Sequence, residues 1–321
     1  MRIFLRAALF LFTAASLAGC VDLLNATIPQ DGITITHDIV YSEGDRNMLD
    51  VYEPVKKAPG HPVIVFYYGG RWESGARADY LFAGQAFASK GYVTVIADYR
   101  LYPTVRYPLF VEDAAKALVW TREHIAAYGG NPDNIFVAGH SAGAYIALML
   151  AANTSFVKKA GGDPAWIRGA IGLAGPYNFV PSQEDPDIRD LFGTAKDAAS
   201  QPITYVHKGM PPVFLATGAD DQTVKLHNTY DLAKKLRADG DTVEVRTYPD
   251  IDHVGLVLSL ELFSILGVCI VFFDSQLHDS RSRRSASTPH LANFGRGRKW
   301  HWHTDVWTLY SLHLCGYCPA H

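Results

Sequence analysis

The stretch Asn134-Ile135-Phe136-Val137-Ala138-Gly139-His140-Ser141-Ala142-Gly143, running on into Ala144-Tyr145-Ile146-Ala147-Leu148, decides the fold. Residues 134–138 are a short apolar run, as a strand covered on both faces requires. Residues 141–153 read as a helix, and G-x-S-x-G lies between the two. Glycines there permit a sharp strand-to-helix turn that lifts the serine side chain above the edge of a sheet. The helix starting behind Ser141 offers backbone N–H groups to a developing anion. A plain glycine-rich turn would fit the same five residues, so the reading depends on their surroundings.

Outward from this turn, strand and helix patterns alternate. Residues 62–68 (Pro-Val-Ile-Val-Phe-Tyr-Tyr) form a continuous apolar run, and 92–97, 167–173, 213–217 and 243–248 repeat the theme. Helical patterns fall at 82–90, 108–128 and 224–239; a proline opens the second, and glycines close the second and third. Upstream, 33–41 and 48–52 alternate apolar and polar residues around a turn at 43–46, which predicts an antiparallel hairpin. Such alternation predicts an α/β fold with a mostly parallel central sheet, flanking helices and right-handed crossovers. Residues 178–206, rich in Pro and Asp, read as a small cap or a long loop over the sheet.

Acyl transfer by a serine needs a base, an acid that orients the base, and donors aimed at the oxyanion. Tyr68-Gly69-Gly70-Arg71-Trp72 ends the apolar run at 62–68. Glycines let the backbone approach closely there, so the amides of Gly70 and Arg71, with that of Ala142, are the expected oxyanion donors. Gly218-Ala219-Asp220-Asp221 follows the strand at 213–217. An acid at the C-terminal end of a parallel strand shares a rim with Ser141. Asp220 and Asp221 compete for the role; Asp221 is favoured, with Asp220 capping the loop or the next helix. His253, in Asp250-Ile251-Asp252-His253, follows the last recognisable strand and is the expected base. His140, beside the serine, is set aside because its neighbouring position points it away from Ser141.

With those residues in place, 33–258 resembles the esterase/lipase group of α/β-hydrolases that includes hormone-sensitive-lipase-like and ferulic-esterase-like carboxylesterases. The matching stretches are 66–72, Asp98-Tyr99-Arg100-Leu101-Tyr102-Pro103, the run from Tyr128-Gly129-Gly130 to Gly139-His140-Ser141-Ala142-Gly143, and Asp252-His253. The order Ser, Asp, His along the chain is that of this fold, not that of chymotrypsin-like or subtilisin-like peptidases. The resemblance implies the α/β-hydrolase fold and a carboxylesterase acting on small to medium esters through an acyl-enzyme, with no metal or organic cofactor. It also implies an architectural role for Asp98-Tyr99-Arg100 beside the nucleophile. Tyr68 stands where many relatives carry His, a variant also found in the family. An arylformamidase, amidase or peptidase on the same fold is a competing reading. So is a non-catalytic scaffold, although that normally loses a triad residue and none is lost here.

Composition sets the remaining bounds. Of 321 residues, 48% are hydrophobic and 19% charged, which allows a packed core, and a net charge of −3 with both signs interspersed gives no electrostatic case for nucleic acid. At the N-terminus, Arg2 and Arg6 precede an apolar run at 7–18 and then Leu17-Ala18-Gly19-Cys20. That run is too short to span a bilayer and has the shape of a secretory signal. Its end resembles a bacterial lipobox, which makes Cys20 the lipid-bearing first residue of an exported, membrane-anchored lipoprotein; an ordinary signal with an incidental Cys is the alternative. Residues 21–32 read as a short tether. Cysteines are absent between Cys20 and Cys269, so the body carries no disulfide framework. Beyond about residue 258 the character changes: six of the 13 histidines and three of the four cysteines lie there, without a clean amphipathic helix. This points to a frameshifted or otherwise altered tail over 259–321, against a membrane-contacting extension or a metal site. A zinc site at Cys315 and Cys318 with His313 and His321 would rest on a single C-x-x-C pair.

Overall fold

A computed structural model describes residues 25–56, 60–193 and 197–260. All of them belong to one compact unit, Met1–His278, and a second, Asp279–His321, lies outside them. The expected signal with Cys20 and the tail beyond residue 260 also lie outside the described residues.

Eight strands form one sheet: β1 (Ile33–Val40), β2 (Met48–Pro54), β3 (His61–Tyr67), β4 (Val93–Ala97), β5 (Gly130–His140), β6 (Ile167–Leu173), β7 (Val213–Gly218) and β8 (Val243–Tyr248), in spatial order β1-β2-β4-β3-β5-β6-β7-β8. β1 and β2 pair antiparallel, as the hairpin pattern predicts, and β2 is antiparallel to β4. From β4 to β8 every pairing is parallel. The chain runs from β3 outward to β4 and then back across β3 to β5, so the direction of winding reverses at β3 and β5. A crevice opens at such a reversal, above the C-terminal strand ends. The loops after β3 and β5 are the ones carrying Gly70 and Ser141.

Among the described residues, helices α1 (Leu81–Ser89), α2 (Leu109–His124), α3 (Ala142–Ala152), α4 (Thr154–Lys159), α5 (Pro186–Phe192), α6 (His227–Ala238) and α7 (His253–Leu258) accompany the strands. All 11 residues of α3 are buried, which explains why it is apolar all round. It packs over β3, β5 and β6. The approach is so close that a Cβ on Gly143 would overlap the carbonyl of Tyr67. The second glycine of the elbow is therefore a packing requirement of α3 against β3.

Two expectations differ from the structure. The helix expected from residue 224 begins at His227, because the amides of Thr223 and Val224 are drawn to the Asp221 carboxylate instead of starting the helix. Residues 25–32, expected to be a tether, lie against the body. Asn25 Nδ2 donates to the carbonyl of Ala78 at 3.0 Å, Ile28 is buried, and Val55 N–H donates to the Gly32 carbonyl at 2.9 Å. A buried isoleucine and a side-chain amide satisfied in this way hold the segment down.

The Asp98-Tyr99-Arg100 stretch after β4 is a set of struts. Asp98 accepts from the Arg77 backbone amide at 2.8 Å and pairs with its guanidinium. The Tyr99 hydroxyl donates to the Tyr68 carbonyl at 2.9 Å. Arg100 grips the fully buried carboxylate of Asp113 on α2 with two bonds of 2.7 and 2.8 Å. Removing the cation would strand a buried charge. Arg100→Met is expected to lower stability by about 3 kcal/mol, the low end for a broken buried pair because Arg100 is partly exposed, and urea unfolding followed by circular dichroism reads it.

Candidate active site

The elbow is backbone strain held in place. Ser141 sits at φ 54°, ψ −120°, a conformation that a residue with a side chain rarely adopts. Its N–H donates to the Leu173 carbonyl at the end of β6 at 2.9 Å, and its carbonyl accepts from Tyr145 N–H at 3.1 Å as α3 begins. The side chain is thereby turned out over the strand ends and remains partly exposed.

His253 and Asp221 meet it from the neighbouring strand ends. His253 Nδ1 lies 2.8 Å from Asp221 Oδ2, and His253 Nε2 lies 2.9 Å from Ser141 Oγ. A carboxylate only accepts, so Nδ1 carries the imidazole proton and Nε2 is left as an acceptor facing the hydroxyl. Asp221 is buried, and its other oxygen takes the amides of Thr223 and Val224 at 2.9 and 2.8 Å. Burial works to raise this carboxyl, but the bond from His253 and those two amides outweigh it and hold it below the ordinary carboxylate range. Asp220, the competing acid, is exposed; its amide donates to the Ile251 carbonyl at 3.1 Å. That bond, with Ala219 N–H to the Tyr248 carbonyl at 2.8 Å, ties the acid loop to the base loop. His253 is the first residue of α7, whose N-terminus is capped by Asp252 accepting from Gly255 N–H at 2.7 Å.

The loop after β3 passes beside the serine. Arg71 and Trp72 both have positive φ, 59° and 61°, conformations that cost energy in residues with side chains. Polar struts hold the turn: Tyr80 Oη accepts from Gly69 N–H at 3.0 Å, Arg46 donates to Tyr68 Oη at 2.8 Å and to the Gly75 carbonyl at 2.7 Å, and Tyr102 N–H donates to the Trp72 carbonyl at 2.9 Å. The amides of Gly70, Arg71 and Ala142 have no acceptor among the described residues. Amides without an acceptor are available to a developing anion, the role expected of these three.

Above the site, the described residues of 178–206 contain more regular structure than a long loop would. They carry α5, which Asp185 caps and Pro186 opens, a start signal legible in the sequence but not read there. Arg71 reaches Asp185 at 2.6 Å, and Arg106 reaches Asp190 at 2.6 Å. Trp72 packs against Phe179, Phe192, Phe110 and Tyr145, with ring centroids 5.2 to 6.3 Å away. No sequence pattern marks Arg46 and Tyr80 as supports of the Gly69–Gly70 turn, because the contacts join separate elements. His140, set aside as the base, makes no hydrogen bond to Ser141 Oγ among the described residues. Its ring lies against that of His253, centroids 4.8 Å apart, and its Nε2 is 2.9 Å from the His253 carbonyl oxygen. Among the described residues no cluster of three or more His, Cys, Asp or Glu could hold a metal ion.

Known esterases resemble this chain in sequence and in fold. The chain is 28% identical over 246 residues to the probable isoprenylcysteine alpha-carbonyl methylesterase ICMEL1 of Arabidopsis thaliana, covering 70% of this chain and 52% of that protein. It is 30% identical over 250 residues to Esterase LipQ of Mycobacterium tuberculosis, covering 68% and 56%. The chain thus spans about half the length of these curated relatives. Among solved structures, Thermogutta terrifontis esterase 2 with propionate bound superimposes with a TM-score of 0.60 at 25% identity, over 76% of this chain and 96% of that one. The BD-FAE family matches residues 49–236, more than half of the chain and the span from β2 to α6. The chain therefore belongs to the BD-FAE family, a family of esterases on the α/β-hydrolase fold.

Proposed function

We propose that this protein is a serine carboxylesterase that hydrolyses small to medium carboxylic esters through an acyl-enzyme on Ser141. The observation that carries the reading is the line Ser141 Oγ, His253, Asp221, with bonds of 2.9 and 2.8 Å. In the proposed cycle His253 Nε2 takes the hydroxyl proton as Ser141 Oγ bonds to the ester carbonyl carbon. The carbonyl π electrons move onto oxygen, which the amides of Gly70, Arg71 and Ala142 receive. The tetrahedral intermediate collapses, the C–O bond to the alcohol breaks, and His253 returns the proton to the leaving alkoxide. Water then repeats the attack on the acyl-enzyme and frees the acid. Preference for small acids is supported by the propionate bound in the Thermogutta terrifontis neighbour. At the N-terminus, Leu17-Ala18-Gly19-Cys20 supports export and anchoring to a membrane through a lipid on Cys20.

Hydrolysis of p-nitrophenyl acetate and butyrate by the purified protein tests the reading. Ser141→Ala is expected to reduce turnover to background, and Asp221→Asn to lower kcat by about 10³ to 10⁴, as losing the correct imidazole tautomer does elsewhere. A Ser141→Ala protein as active as the parent would end the proposal. Cys20→Ser is expected to move the protein from the membrane to the soluble fraction of its host; unchanged fractionation would remove the anchor.

The site also makes the fold acid-sensitive. Burial, and then the neighbouring His253, push His140 down from 6.5 to about 3. Below pH 6.5 the unfolded chain therefore takes a proton that the folded one refuses, and stability falls by about 1.4 kcal/mol per pH unit until pH approaches 3. Asp221, depressed in the folded state, adds stability that is complete above its unfolded value of 3.8 and drains away as pH falls through the lower folded value. Urea midpoints are expected to drop from pH 6.5 to pH 4 in the parent and to drop less in His140→Gln. Parallel curves would show that His140 titrates normally.

A further inference from the structure

His140 is buried, 4% exposed, yet its imidazole touches two of the three loops that bear the proposed chemistry. On one side Nε2 is 2.9 Å from the carbonyl oxygen of His253. A carbonyl only accepts, so Nε2 carries the proton and Nδ1 is left with its lone pair. Nδ1 has no hydrogen-bond partner among the described residues. On the other side the ring lies against Gly69, where a Cβ would come within 2.9 Å of His140 Nδ1 and 3.1 Å of Ser141 Cβ. The ring is therefore wedged between the start of the proposed oxyanion loop and the residue proposed as base. It also stands on the backbone of the nucleophile elbow itself.

We propose that His140 is a positioning residue: its Nε2–H bond to the His253 carbonyl, together with the packing of its ring on Gly69, sets His253 against Ser141 and spaces the loop of Gly70 and Arg71 from both. The inference rests on the triad reading and goes beyond it. The acid loop already fixes His253 at its side chain, through Asp221 Oδ2 at 2.8 Å. The base loop is tied to the acid loop after β7 by the amides of Ala219 and Asp220, which donate to the carbonyls of Tyr248 and Ile251. The bond from His140 is the tie on the serine side, and it ends on the backbone of the base itself. A neutral ring suits the place. The charged or titratable groups that act on it are His253 and Asp221, and a cation here would oppose the imidazolium that forms on His253 during attack. Gly69 completes the fit, since any side chain there would displace the ring.

The test compares the purified full chain with His140→Phe, which keeps a flat ring without a donor, and His140→Gln, which keeps an N–H donor. Steady-state hydrolysis of p-nitrophenyl butyrate is followed from pH 5 to 9, with thermal melts of all three proteins. His140→Phe is expected to lose kcat by about ten-fold or more, as small misplacements of reacting groups do, with KM nearly unchanged and the acid limb of its pH profile displaced. His140→Gln is expected to restore most of the rate and the parent profile. A folded His140→Phe within two-fold of the parent in kcat overturns the proposal, as does an equal loss in both folded variants. A second measurement needs no variant: ¹⁵N resonances of the imidazoles in the parent at pH 7. The proposal requires His140 neutral with its proton on Nε2; a proton on Nδ1, or on both nitrogens, overturns it even where His140→Phe does not fold. An inactive parent whose His140 shows the Nε2 tautomer would sink the esterase reading instead.

Discussion

Parallel register is the constraint on which the arrangement depends. β3, β5, β6, β7 and β8 run the same way, so the loops that follow them all emerge at one edge. Backbone bonds then continue the ladder past the ends of the strands: Ser141 to Leu173, Ala174 to Ala216, Ala219 to Tyr248, and Asp220 to Ile251. Each carries the alignment of the sheet one residue further, into the loops that bear Ser141, Asp221 and His253. Three side chains separated by 80 and 32 positions in the sequence reach hydrogen-bond distance because the rim between them is pinned like the sheet beneath it.

The loop after β3 is held differently: one backbone bond, from Tyr102 N–H to the Trp72 carbonyl, joins it to the loop after β4, and side chains supply the rest. Its two left-handed residues, Arg71 and Trp72, favour a more relaxed path. Tyr80, Tyr99 and Arg46 each place a polar group on it, and Trp72 is anchored among aromatic rings. Tyr99 is buried and Tyr80 partly buried, and both hydroxyls are hydrogen-bonded, so loosening the loop would leave polar groups without partners. The strain is thus opposed by interactions that act only in the strained geometry.

Much of this was legible in the sequence, and what was not shares one physical reason. Period-two and continuous apolar runs report burial, so the parallel strands and the hairpin could be read directly. The elbow could be read because a Gly-x-Ser-x-Gly turn needs glycine at fixed offsets. Asp221 and Asp220 could be ranked only weakly, because adjacent residues share the same local pattern and differ in which one turns inward. The start of α6 was misplaced for a related reason: residues 223 and 224 have the composition of a helix, but their amides serve the carboxylate. Arg46, Tyr80 and the inward face of His140 gave no signal, since their partners are distant in sequence and no periodicity encodes a contact between loops.

The cap obeys a different rule from the rim. Its ion pairs, Arg71 to Asp185 and Arg106 to Asp190, join side chains that are each about half exposed, and such pairs contribute little in water. Phe192 of α5 is buried against Trp72, Phe110 and Tyr145, and that apolar contact holds the cap down. The anchor of the cap, Trp72, is itself part of the loop beside Ser141. Under the proposed reading, changing the rings that pack on Trp72 therefore acts both on the acyl side of the site and on the footing of the Gly70 and Arg71 amides. Changing the exposed acids of α5 alters neither. Under the proposed esterase reading, selectivity is coupled to rate through the aromatic cluster and uncoupled from it at the surface of the cap.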